Sequence, residues 1–157
     1  MAEMFGIILE GVRDGGQAKI DALYQRYNDG FDRPRVEGAL GDVVPLICGE
    51  LRAPLVDTPL HSAPHFLMVF AAVACATVGI PRGDLGGPEG QDGGLAEPEV
   101  VLAELYELGR LIEQDDPSGS ENARAFWRAS RSSTQRIASR RTRFPMYLAA
   151  VRGQLAV

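Results

Sequence analysis

The run of apolar residues from 66 to 80 constrains the fold of this chain more than any other segment. It contains fifteen positions without a charged side chain, short of the roughly 20 apolar residues that a membrane-spanning helix needs. Pro64 suits the first turn of a helix, and Pro81 follows the run where that helix would end. Because the run is apolar on every side of a helical wheel, it predicts a buried helix at the centre of a folded domain.

Apolar residues at helical spacing predict further helices on both sides of this run. The periodic segments are residues 1–12, 20–27, 34–51 and 98–113. Pro45 predicts a kink or a break within the third segment, and we expect an extended chain at Ala53-Pro54 and Thr58-Pro59. Strand-like alternation does not exceed four residues anywhere in the sequence. The sequence therefore predicts an all-α bundle of about five to seven helices.

The length of 157 residues and the average hydrophobic content of 45% suit one globular domain spanning residues 1–157. Residues 1–80 would hold the N-terminal helices. Residues 81–98 contain six glycines and three prolines, which predicts a long loop. Residues 99–157 would hold an acidic helix, an Arg-rich helix and a short C-terminal helix. Cys48 and Cys75 lie in apolar runs and are interpreted as reduced core residues.

Charge is divided unevenly along the chain. All 21 acidic residues and 8 of the 16 basic residues lie at or before Glu121, so the formal charge of residues 1–121 is 8 − 21, or −13. Residues 122–157 hold the other 8 basic residues and no acidic side chain, a sum of +8. A cationic segment without internal counter-charges needs anions from elsewhere. The candidates are nucleic-acid phosphates, an acidic protein surface and an anionic membrane, of which the membrane is disfavoured by the acidic body of the chain.

Seven arginines of this C-terminal segment are spaced to share one predicted helix. Ser118 and Glu121 form an S-x-x-E pattern typical of a helix start, and Pro145 is expected to end the helix. The arginines would form a cationic side about 30 Å long, opposite Phe126 and Trp127, which would pack on the core. Arginine forks bind phosphate oxygens in pairs, so this side predicts sequence-independent nucleic-acid binding through phosphate contacts. The predicted binding residues are Arg124, Arg128, Arg131, Arg136, Arg140, Arg141 and Arg143.

Two other interpretations of charged residues remain open at this stage. The arginines could instead pair with the acidic helix of residues 99–113 in the same fold. Separately, Asp57, His61 and His65 are spaced by four, which on one helix would place three metal ligands on one face. Pro59 and Pro64 interrupt that helix, so we predict no metal site there.

Catalytic and cofactor motifs do not stand out in the sequence, and we expect no enzyme activity and no cofactor. The expected function is that of a self-assembling structural protein, a homo-oligomer that holds nucleic acid, such as a viral or phage coat or nucleocapsid-like subunit, with residues 1–12 as a packing arm between subunits. The alternatives are a helical adaptor that docks an acidic protein and a small metal-dependent enzyme using His61 and His65. Glu3 and Glu10 disfavour a secretory leader, so we expect a virion or cytoplasmic location.

Overall fold

Helices form the regular structure of this protein, which confirms the all-α prediction. The computed structural model describes residues 2–86, 94–115 and 119–156, and these contain no strand. The α-helices in them are α1 (Ala2–Glu10), α2 (Gln17–Arg26), α3 (Arg33–Cys48), α4 (Arg52–Asp57), α5 (Ala63–Thr77), α6 (Pro98–Glu113), α7 (Glu121–Arg131) and α8 (Ile137–Val151). Short 3₁₀ helices lie at Pro59–His61 and Gly83–Leu85. Residues 87–93 of the predicted Gly/Pro-rich loop lie outside the described ranges.

Most of the apolar run, residues 66–77, lies in α5, the buried central helix that the sequence predicts; the helix ends three residues earlier than predicted. Pro64 lies in its first turn, and every residue from 67 to 76 is buried. Helices α1, α3 and α8 pack around it, so both halves of the chain share one core. Among the described helices, none combines the length and the apolar character needed to cross a membrane.

Helices α1, α3 and α6 each bury an apolar face against this core. On α3 and α6 the inward residues recur every three or four positions. The buried residues are Ile7 and Ile8 on α1; Val36, Ala39, Val43 and Ile47 on α3; and Val101, Leu105 and Leu108 on α6. Full burial of such a side chain contributes roughly 1.5–3 kcal/mol. Packing of these faces therefore stabilises the helices more than their intrinsic helix propensities do. The described part of this segment, residues 2–12, is consequently packed on the core, which corrects the interpretation of the segment as an arm between subunits.

Prolines interrupt the helices less than the sequence suggests. Pro45 lies inside α3 and Pro145 inside α8, and both helices continue past them. Both prolines are exposed, so water can solvate the carbonyl groups that lose a backbone N–H partner. Pro54 lies in the first turn of α4, a position that tolerates proline, which corrects the extended chain predicted at Ala53-Pro54.

The predicted Arg-rich helix is two helices in the structure. Helix α7 ends at Arg131, Ser132 is extended, Ser133 has a positive φ of 52°, and α8 begins at Ile137. Serine and threonine side chains compete for backbone hydrogen bonds, and three of them in succession weaken a helix. The N-cap of α7 is Ser120, whose side chain accepts a hydrogen bond from the backbone N–H of Ala123. Ser118, the predicted cap, lies outside the described residues.

The two cysteines differ in their surroundings. Cys75 is buried on α5, whereas Cys48 is exposed, and both are free thiols. Cys48 is the last residue of α3, where the helical period turns Ile47 inward and Cys48 outward. The prediction of a core position is therefore correct for Cys75 and wrong for Cys48.

Candidate nucleic-acid interface

The seven arginines predicted to bind phosphate fall into an exposed and a buried group. Arg124, Arg128, Arg131, Arg136 and Arg141 are exposed. Arg140 and Arg143 are only 3% and 0% exposed, which corrects their assignment to the cationic surface. On α8, Arg140 and Arg143 are three residues apart and share the face that packs on the core, whereas Arg141 lies about 100° around the helix from Arg140 and is exposed.

Helix α7 presents Arg124, Arg128 and Arg131 on one side, and we call these three residues the α7 arginine face. Their spacing of four and three residues places them within 60° of one another around the helix. Within the described part of the chain, none of the three lies at ion-pair distance from a carboxylate. Their positive charges are thus not neutralised by a carboxylate of the described residues.

Trp127 borders the α7 arginine face but is held by its neighbours. Its indole Nε1 donates a hydrogen bond to the carbonyl oxygen of Gln114 at 2.8 Å, and the Arg131 guanidinium lies 4.3 Å from the indole ring centroid. Arg131 also donates to the same Gln114 carbonyl. One face of the ring is therefore occupied by a cation, and the adjacent Phe126 is buried. Trp127 is therefore held in place between the Gln114 carbonyl and the Arg131 guanidinium.

Two further exposed arginines lie beyond the break. Arg136 is 3.9 Å from Asp14, a distance at which an exposed ion pair contributes little. The Asp14 carboxylate also accepts a hydrogen bond from the backbone N–H of Ile137, so it caps the start of α8. Arg141 donates its Nε hydrogen to the backbone carbonyl of Asp84 at 2.8 Å. Both arginines retain exposed charge near the α7–α8 turn.

Arg140 joins the C-terminal part of the chain to the N-terminal part. Its guanidinium donates to the Glu3 carboxylate at 2.7 Å and to the carbonyl oxygen of Arg13 at 2.9 Å. Among the described residues, the C-terminal arginines form ion pairs with Glu3 and Asp14, and none with the acidic helix α6. On α6, Glu107 pairs with Arg110 of the same helix. The alternative interpretation, in which the arginines pair with α6, is therefore not supported by any ion pair among the described residues.

Arg143 is a buried cation that binds backbone carbonyls instead of a carboxylate. Its guanidinium donates to the carbonyl oxygens of Thr134 and Pro64 and to the Ser139 hydroxyl. Ser139 in turn donates to the carbonyl oxygen of Ala129 at 2.7 Å, in the last turn of α7. Arg143 and Ser139 therefore hold the α7–α8 turn against the start of α5. Burial lowers the pKa of Arg143 from its ordinary value, yet a guanidinium remains charged at neutral pH.

His65 lies beside this cation as a neutral acceptor. The Tyr147 hydroxyl donates to its Nδ1 at 2.6 Å, and Arg143 Nη1 lies 3.4 Å from the same atom. Burial, followed by the charge of Arg143, lowers the pKa of His65 to about 4. Burial likewise raises the pKa of Tyr147, so its hydroxyl keeps its proton. The group is a structural hydrogen-bond network, and the sequence offered no signal of it beyond the residue types.

The three residues considered as metal ligands lie in separate environments. Asp57 accepts a hydrogen bond from the Tyr106 hydroxyl, and the His61 Nδ1 is 2.7 Å from the carbonyl oxygen of Thr58. His65 is buried against Tyr147. In the described ranges, no group of three histidine, cysteine, aspartate or glutamate side chains is arranged to hold a metal ion.

Comparison with known proteins gives no family for this chain. No protein-family model matches it, and no curated protein or solved structure matches it either.

Proposed function

We propose that this protein is a non-enzymatic structural protein that binds nucleic-acid phosphates without sequence preference and self-assembles, as a viral or phage coat or nucleocapsid-like subunit does. The observation that supports it is the α7 arginine face, three exposed cations that have no carboxylate partner within the described fold. Arg136 and Arg141 add two further exposed cations near the start of α8. Such side chains contact phosphates and carry no sequence information.

The size of this surface limits the number of phosphates that it can neutralise. Arg124 and Arg131 are seven residues apart, about 10 Å along a helix, which is shorter than the cationic side of one continuous helix. Three to five arginines would therefore each meet one phosphate. The logarithm of the binding constant should then fall with the logarithm of salt concentration with a slope of about −3 to −4.5.

Self-assembly is supported by the division of charge in the sequence. Residues 1–121 sum to −13 and residues 122–157 to +8, so the cationic part of one copy has an acidic surface available on the next. Contacts between unlike surfaces repeat from copy to copy and build rings or filaments. In such an assembly the arginines not engaged by a neighbour would hold nucleic acid.

Substitution of the α7 arginine face tests the nucleic-acid interface. We expect Arg124→Gln, Arg128→Gln and Arg131→Gln together to weaken binding of a duplex oligonucleotide roughly tenfold or more at low salt, and to make the salt slope less steep by about 2 to 3. Fluorescence anisotropy with two oligonucleotides of unrelated sequence measures both quantities. The two sequences should bind equally well.

The matched control removes three positive charges elsewhere. Arg33, Arg52 and Arg110 are exposed arginines on α3, α4 and α6, and their joint replacement by Gln changes the net charge by the same amount. This control should leave the affinity nearly unchanged. Equal losses in the two triple variants would show a general charge effect and would remove α7 as the interface.

Light-scattering size exclusion before and after nuclease tests assembly on nucleic acid. Large particles with high absorbance at 260 nm that nuclease dissolves would support the proposal. A nucleic-acid-free monomer in both low and high salt would contradict it. Salt-sensitive capture of an acidic protein, lost in the α7 variant, would then favour the adaptor function.

A further inference from the structure

A cavity rich in aromatic side chains opens where α1 meets the end of α2. Its volume is about 340 Å³, within the range of roughly 300–1,000 Å³ that small-molecule sites occupy. Four rings, those of Phe5, Tyr24, Tyr27 and Phe31, form most of its wall. We call this space the aromatic cavity.

The rings of the aromatic cavity stand at right angles to one another. Phe5 and Tyr27 have centroids 6.2 Å apart at 79°, and Phe5 and Phe31 have centroids 4.6 Å apart at 77°. These are edge-to-face contacts between the rings themselves, so Phe5 fixes the positions of Tyr27 and Phe31 in the wall of the cavity. Tyr24 and Phe31 remain 64% and 41% exposed, so the cavity is reachable from solvent.

The charge around the aromatic cavity favours a positive ligand. Asp29 and Asp32 lie within one residue of the cavity lining in the sequence, and neither forms an ion pair among the described residues. The basic side chains nearest to the lining in the sequence, Arg26 and Arg33, are both in ion pairs with glutamates. An anion would therefore meet a negative surface, whereas a cation would meet both this field and the negative faces of the rings.

The lining of the cavity also selects the kind of cation. Carboxylates are not among its lining residues, and its polar side chains are the Tyr24 and Tyr27 hydroxyls and the Asn28 amide. A primary ammonium or a metal ion would lose its hydration without enough acceptors to replace it. A quaternary ammonium group carries no N–H, is weakly hydrated and presents methyl groups that bury well against rings.

We propose that the aromatic cavity binds a small organic cation that carries a quaternary ammonium group. The rings of Phe5, Tyr27 and Phe31 surround the methyl groups, and Tyr24 lies at the entrance. This site is separate from the α7 arginine face, so binding of the cation does not depend on nucleic-acid binding.

Choline and its uncharged carbon isostere 3,3-dimethyl-1-butanol test the proposal on the full chain. We expect saturable binding of choline by NMR titration, with an upfield shift of its N-methyl protons caused by the rings, and an affinity at least tenfold higher than that of the alcohol. Equal affinities would show a merely apolar cavity and would overturn the proposal. Absence of saturable choline binding would overturn it as well.

Substitutions in the cavity lining test whether choline binds at this cavity. Tyr24→Ser with Phe31→Ser should weaken choline binding at least tenfold while leaving the helical circular dichroism and the oligonucleotide affinity unchanged. The matched control, Val56→Ser with Val100→Ser, removes two other exposed large apolar side chains and should bind choline as the parent chain does. Undiminished choline binding in the Tyr24/Phe31 variant would overturn the assignment.

Discussion

His65 and Arg143 show how burial changes the role of a side chain that the sequence suggests is functional. In the sequence, His65 is a candidate metal ligand because it lies four residues after His61, and Arg143 is a predicted phosphate contact. In the structure Arg143 Nη1 lies 3.4 Å from His65 Nδ1, inside the core, and Arg143 also binds two backbone carbonyls. A buried donor or acceptor without a partner costs about 1–3 kcal/mol, so each of these contacts matters for stability.

Stability should fall in mild acid because of His65. Its pKa is lowered to about 4 in the folded state, so between pH 6.5 and 4 the unfolded chain binds a proton that the folded chain does not. The stabilisation from neutral His65 is therefore complete above pH 6.5 and is lost as the pH falls toward 4, by about 3 kcal/mol in total.

Urea unfolding at several pH values measures this loss. The variant His65→Gln keeps a hydrogen-bond acceptor but cannot titrate, so the difference in unfolding free energy between the two chains should narrow as the pH falls. All other titrating groups are common to both chains and cancel in the comparison. A difference that stays constant from pH 7 to pH 4.5 would contradict the role of His65.

At the scale of elements, one close contact places α6 against the short connection between α4 and α5. A Cβ atom added at Gly109 on α6 would lie 2.6 Å from the Cβ of Thr58. Thr58 is extended, and its side chain accepts from the backbone N–H of Leu60 and donates to the carbonyl oxygen of Pro54. Thr58 therefore cannot move without breaking these bonds, and glycine is required opposite it.

We expect Gly109→Ala to destabilise the fold by about 1–3 kcal/mol, although alanine is the better helix former. The matched control is Gly38→Ala on α3, where no atom lies within 4 Å of the added Cβ. That change should stabilise the protein by about 0.4–1 kcal/mol. Thermal or denaturant unfolding measures both, and effects of the same sign would contradict the packing argument.

Across the whole molecule, the first and last parts of the chain stabilise each other. Ile7, Ile8 and Val12 are buried, α1 packs on α5, and Glu3 pairs with Arg140 of α8. Burial of three aliphatic side chains contributes about 5–9 kcal/mol at roughly 1.5–3 kcal/mol each, comparable with the entire stability of a typical domain.

Removal of residues 1–16 should therefore abolish cooperative folding. We expect a loss of helical circular dichroism and of a cooperative thermal transition. The control Lys19→Ala alters an exposed side chain just past the deletion and should leave both unchanged. A truncated chain that remains a cooperatively folded monomer would show that residues 1–16 are an arm and not part of the core.

The helical class, the central position of residues 66–80 and the inward faces of α3 and α6 follow from the sequence alone. Apolar spacing carries that information, because a helix with such a face must bury it. The sequence also determined that residues 122–157 carry unbalanced positive charge. It placed the start of α6 correctly at Pro98.

Only the tertiary structure decided which arginines face water. Arg136, Arg140 and Arg143 look alike in the sequence, yet Arg136 is exposed and the other two are buried. The difference arises from the break after Arg131 and from distant partners, the Glu3 carboxylate and the Pro64 carbonyl. Such long-range contacts have no periodic signature along the chain. Tertiary structure also decided that α3 and α8 continue past Pro45 and Pro145. Packing of the two helices on the core outweighs the local free-energy cost of a proline inside a helix.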